Sequence, residues 1–189
     1  MNGFELFLRF AEGCRCYLDD KSLISASDNK KLLECIKKKE EPPRDLLKRV
    51  FYVAYPDLEE KGNILGKDPL DPNVVREYYA FRHNRMKFDQ GNMICMAFPA
   101  RVLEKRKKTY LLNLEPVNGL FWVSSDLSLN KGNWVIIHRI NIIEKITEEF
   151  VNKAIKYLKD IGLSKDYKFP KVAIKYLLRL QKRGGSVYA

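Results

Sequence analysis

Near residue 93 the spacing of apolar side chains changes period, and that change constrains the fold more than any other feature of the chain. Upstream the spacing is helical: Phe4, Phe7, Leu8, Ala11 and Cys14 share one face. Asp28 is placed to cap a helix carrying Leu32, Leu33 and Ile36. Pro43 suits a first helical position before Leu46, Leu47, Val50, Phe51 and Ala54. The stretch from Pro56 through Gly62-Asn63 to Gly66 reads as turn-rich. Asp71-Pro72 then opens a helix with Val74, Val75, Tyr78, Tyr79 and Phe81 inward. Asp89-Gln90-Gly91-Asn92 breaks the pattern. Five short β-type runs follow, at 94–104, 108–115, 119–125, 133–138 and 140–146. Thr147 caps a further helix bearing Phe150, Val151, Ala154, Ile155 and Leu158, ended by Gly162. Pro170 begins a last amphipathic helix, stopped by Gly184-Gly185.

These signals predict an α+β chain in three parts. Residues 1–91 form an all-helical domain, 92–147 a small five-stranded β-barrel, and 148–189 a helical C-terminal extension. Closure is expected because five short antiparallel strands hide their edges best in a barrel. At 189 residues the chain is long enough for a sizeable core. Its 46% apolar and 31% charged residues fit a globular protein and not a disordered one. No run approaches the ~18 apolar residues of a membrane span, and no secretory signal is evident. Four cysteines (Cys14, Cys16, Cys35 and Cys95) are too few for a disulfide framework. A cytoplasmic protein without membrane partners is the expectation.

The net charge of +11 is unevenly distributed. It amounts to +1 over residues 1–93, +4 over 94–146 and +6 over 147–189. Such a surface steers acidic partners, whether protein or nucleic acid.

Two residues stand out chemically. Cys95 opens the first β-type run and His138 ends the fourth. Thiolate and imidazole are donors that soft and borderline transition metals prefer. Against this stands the ordinary behaviour of cysteine as a small buried hydrophobe. A Cys–His nucleophilic pair would need a third group orienting the imidazole, and no orienter or oxyanion signature is evident, so no enzymatic activity is expected. Cys14-Arg15-Cys16 with Cys35 and His83 could supply four zinc ligands. The one-residue gap is shorter than structural zinc sites use, and core thiols are the better reading.

The wording around Cys95 and His138 resembles the HypC/HupF family of nickel–iron hydrogenase maturation chaperones. Cys95, Met96, Ala97, Phe98, Pro99, Arg101 and Val102 fill the family's opening motif in order. Gly119 before Phe121-Trp122-Val123-Ser124, and then Gly132-Asn133-Trp134-Val135-Ile136-Ile137-His138, follow its later strands. The likeness covers roughly residues 93–160. It implies an OB-like barrel and a chaperone or scaffold that holds an iron centre transiently, carrying cyanide and carbon monoxide. It also implies two partners: an iron–sulfur maturation protein and a hydrogenase large-subunit precursor. Cys95 and His138 would be the metal ligands, meeting at one rim of the barrel within roughly 8 Å, allowing for the looseness of unliganded sites. Met96, Phe98 and Pro99 would form an apolar docking lip, with Arg101 and Arg139 as further partner contacts. The family's cysteine is N-terminal, whereas Cys95 is internal, so a role needing a free α-amine is excluded. Parts of the N-terminal region, Gly3–Ala11 and Pro69–Val75, faintly resemble an uncharacterised archaeal helical family.

The rival class is a nucleic-acid-binding OB-like module. Lys105-Arg106-Lys107-Lys108 would neutralise phosphate, while Tyr110, Phe121, Trp122 and Trp134 stack on bases. Steep salt dependence would mark it.

Overall fold

The computed structural model describes residues 1–13 and 24–167. Two compact units divide the chain, Met1–Tyr78 and Tyr79–Ala189. Cys14 and Cys16, and the helix expected from Pro170, lie outside the described residues.

The first unit is helical, as expected. It holds α1 (Gly3–Gly13), α2 (Ala26–Lys38), α3 (Arg44–Val50), α4 (Ala54–Leu65) and α5 (Pro72–Glu77). Phe7, Phe10, Leu47, Tyr55, Leu58, Val74 and Val75 are fully buried in it. Two local readings are corrected. Ser25, not Asp28, caps α2: its hydroxyl accepts from the Asp28 amide at 3.0 Å. Asp28 instead receives both ends of the Arg49 guanidinium, at 3.0 and 3.1 Å. The turn-rich stretch from Pro56 is in fact α4. Pro56 falls in its first turn, where no amide hydrogen is needed, and Gly62 packs tightly against the Lys67–Pro69 backbone. Asp71 caps α5 as expected, accepting from the Asn73 amide at 2.7 Å.

The second unit begins earlier than the Asp89–Asn92 break. A wide π-helical turn (Tyr78–His83) leads into α6 (Asn84–Asp89), then a 3-10 turn (Met93–Cys95). Five strands follow: β1 (Ala97–Arg106), β2 (Thr109–Leu114), β3 (Gly119–Ser124), β4 (Trp134–His138) and β5 (Asn141–Lys145). All ladders are antiparallel, in the order β3-β2-β1-β4-β5. α7 (Glu148–Asp160) packs against β1, with Thr147 accepting from the Phe150 amide at 3.3 Å. Helix and sheet together confirm the α+β class.

The sheet is open, which differs from the expected closed barrel. β3 and β5 come within 8 Å at the Cα level, yet no ladder joins them. The edge strands β3 and β5 are six and five residues long, leaving little strand to pair across the seam. Register shifts after Val102 in β1 and Ile136 in β4 mark bulges, which bend a strand and increase its twist. The apolar face of the sheet buries Met96, Phe98, Val102, Tyr110, Leu112, Val135 and Ile137 with Leu158 of α7. Among the described residues no helix is long and apolar enough to cross a membrane.

Candidate functional site

β1 and β4 are adjacent and antiparallel, and Ala97 pairs with His138. The start of one strand and the end of the other therefore meet at a single edge of the sheet. Cys95 lies two residues before Ala97, so the register brings Cys95 and His138 together across 43 residues. The contact is specific: His138 Nε2 lies 2.8 Å from the Cys95 carbonyl oxygen. A carbonyl only accepts, so Nε2 carries the proton, and in the neutral ring Nδ1 keeps the lone pair.

A side chain from α6 holds this junction. Asn84 Oδ1 accepts from the Ala97 amide at 2.7 Å, and Asn84 Nδ2 donates to the Ala97 carbonyl at 2.7 Å. Nδ2 also donates to the Ala80 carbonyl at 3.0 Å. Asn84 thus imitates a strand partner for the first residue of β1. The π-helical turn supplies the rest of the wall. The rings of Tyr79 and His83 lie 5.8 and 5.3 Å from that of His138, and 5.1 Å from each other. π-Helical turns are rare and recur at functional sites.

Burial sets the chemistry of this cluster. Cys95 is 2% exposed, and Asn84 and His138 are 0% exposed. Removal from water holds the His83 imidazole well below its ordinary range, and the neighbouring His138 and Lys87 push the same way. The neighbouring Asn84 opposes them. His83 is therefore neutral when folded, whereas the unfolded chain takes up a proton near pH 6.5. Stability from this group is full above pH 6.5 and is lost as pH falls below it, by about 1.4 kcal/mol per unit while the folded ring stays neutral. Thermal unfolding should show a steady midpoint above about pH 7 and a decline below about pH 6.5, smaller in His83→Phe.

The fold brings together the two residues expected to share a site, through the Cys95 carbonyl. The thiol is buried. The other expected contacts are differently placed. Met96 and Phe98 point into the core and Pro99 is buried, so the three do not form an exposed lip. Arg101 is exposed on β1, and Arg139 is half-buried in the β4–β5 turn with a left-handed φ of 57°. Cys35 lies partly buried on α2, and His83 packs against His138 and Tyr79. Among the described residues no three His, Cys, Asp or Glu side chains are grouped to hold a metal ion. Among the described residues, His138 meets Cys95 at its main-chain carbonyl and not at its thiol.

Sequence reasoning missed Asn84 and the role of Tyr79. One signal was present: the chain has only two histidines. One of them ends an apolar helical run and is followed directly by an asparagine. No family model, curated protein or solved structure matches the chain.

Proposed function

We propose that this chain is a HypC-like maturation chaperone, a cytoplasmic scaffold that holds an iron centre and hands it on. The observation that supports the reading is that Cys95 and His138 meet at one edge of the sheet, His138 Nε2 lying 2.8 Å from the Cys95 carbonyl oxygen. On this reading the curled sheet is an OB-like barrel whose β3–β5 seam carries no ladder. Loading frees the thiol and the imidazole by opening the Met93–Cys95 turn, which is only three residues long. Short 3-10 turns have poorer hydrogen-bond geometry than α-helix, and opening this one also exposes the buried Met93 and Cys95 and breaks the His138 contact. Asn84 grips Ala97, beyond that turn, so β1 keeps its place while Cys95 moves. A thiolate and one imidazole leave most of an iron's coordination sphere to its cyanide and carbon monoxide, which suits a carrier that must release its cargo. The docking partners are the iron–sulfur maturation protein and the hydrogenase large-subunit precursor.

Purification without oxygen beside that iron–sulfur partner tests the proposal. The two should co-elute with iron, and infrared spectra should show cyanide and carbon monoxide stretches. Cys95→Ala should lose the iron, because the motif offers no second soft ligand. His138→Ala should lower occupancy more mildly, since water can fill an imidazole's place. Cys14→Ala and Cys16→Ala should leave it unchanged. Full iron and partner binding by a folded Cys95→Ala protein would leave only a likeness of fold.

A further inference from the structure

The outer face of the sheet sorts the four aromatic residues that sequence alone had grouped. Tyr110 is 2% exposed and Phe121 packs with the core, so neither reaches a ligand on that face. Trp122 and Trp134 belong to the opposite, partly exposed face. Each lies beside an arginine: the Arg106 guanidinium carbon sits 4.6 Å from the Trp122 ring centre, and that of Arg101 5.9 Å from Trp134. Register shows how the two pairs are arranged. Trp134 stands opposite Arg101, Arg101 opposite Asn113, and Asn113 opposite Leu120, which is 61% exposed. Trp122 stands opposite Leu111 in the neighbouring row. The two indoles lie on strands three spacings apart, about 14 Å across the sheet, and one row apart along it.

Basic residues gather at the hairpin end of this face, while Glu115, bonded to Asn113 at 3.0 Å, lies beside the Arg101 row. Lys105, Lys107 and Lys108 crowd the exposed β1–β2 hairpin above it. The acidic residues beside them are Glu104, bonded to Arg106 at 2.7 Å, and Asp126, bonded to Lys108 at 2.8 Å. Flat rings layered with guanidinium groups, ringed by lysines, complement a ligand that is both planar and anionic. An acidic peptide offers charge without planes, and an apolar segment offers neither.

We infer that the outer face of β1–β4 binds single-stranded nucleic acid, with Trp122/Arg106 and Trp134/Arg101 as two stacking positions and the β1–β2 hairpin as the phosphate clamp. Stacking on aromatic rings tolerates any base, so the binding is not sequence-specific. This surface is independent of Cys95, and its test stands apart from that of the iron site.

A fluorescently labelled single-stranded oligonucleotide of mixed sequence, titrated with the full chain, supplies the test. Binding should weaken about 20- to 50-fold between about 50 and about 200 mM salt, as expected for three or four phosphate contacts. Salt dependence alone does not suffice, because the basic C-terminal residues would also produce it. The deciding variants are aromatic. Trp122→Ala and Trp134→Ala should each weaken binding about 5- to 150-fold, the range for loss of one stacked base, and Trp122→Phe should retain most of it. Arg106→Glu, at a side chain 69% exposed, should also weaken binding while leaving the melting temperature in place. The inference is overturned if folded Trp122→Ala and Trp134→Ala, together with Arg106→Glu, bind like the parent. It is also overturned if no binding is seen at about 50 mM salt, or if poly-glutamate competes as well as the oligonucleotide does.

Discussion

Asn84→Ala should destabilise the sheet unit by about 3 kcal/mol, with the urea midpoint falling and the slope unchanged. The side chain is 0% exposed and makes three hydrogen bonds of 2.7, 2.7 and 3.0 Å, two of them to the main chain of Ala97. Alanine removes the partner and leaves the Ala97 amide and carbonyl buried without it. Each such group costs about 1–3 kcal/mol. Asn84→Asp should fare no better. It keeps an acceptor for the Ala97 amide, but turns a charged oxygen on the carbonyls of Ala97 and Ala80 in a dry site. Both tryptophans lie in β3 and β4, so indole fluorescence reports on this unit specifically. A midpoint unchanged from the parent would mean that the junction of the 3-10 turn and β1 is held by other contacts.

Gly3→Ala should produce a loss of similar size, about 3 kcal/mol, in the helical unit. Gly3 is buried at the start of α1, directly against the backbone at Leu70. A methyl group there would overlap the Leu70 carbonyl oxygen and sit 2.6 Å from its carbon. No rotamer relieves that clash, because the obstacle is main chain. Either α1 shifts, pulling Phe4 and Phe7 out of the core, or the Leu70–Asp71 segment moves and the α5 cap is lost. Over-packing of this kind commonly costs 1–3 kcal/mol, and the backbone contact puts this site at the top of that range. Far-UV circular dichroism during thermal unfolding would measure it. Gly66→Ala should fail differently, by strain at a φ of 62° and not by crowding, since nothing stands within 4 Å of its added methyl.

What was legible in the sequence follows from which forces leave a period. β2 was readable because it alternates half-buried and buried residues along its whole length, and such alternation survives in one dimension, whereas β4 and β5 show as short apolar runs between turns. The helix α4 was not, because Pro56 and Gly62 are turn markers whose meaning depends on place. A proline in a first turn and a glycine against a neighbouring backbone are both compatible with helix, and only packing reveals which case applies. At the candidate site, Cys95 and His138 could be singled out by side-chain type at two strand ends. Their burial could not, nor could the clamp by Asn84. A side chain that bonds main chain thirteen residues away leaves no periodic trace. The closed barrel expected from strand count became an open sheet for a related reason: closure depends on lengths and bulges at the seam, which a count of strands does not contain.

The strand order carries a consequence for where motion can occur. Strand β1 lies at the centre of the sheet, with two strands on either side, while β3 and β5 have one neighbour each. Outward amides of the two edge strands exchange with solvent readily, and those of β1 exchange only when the sheet as a whole opens. Cys95 is thus tethered, through Met96, to the slowest-opening strand of the unit. Its own turn lies outside the ladder, so Cys95 can be released in a local fluctuation that leaves the protected centre untouched.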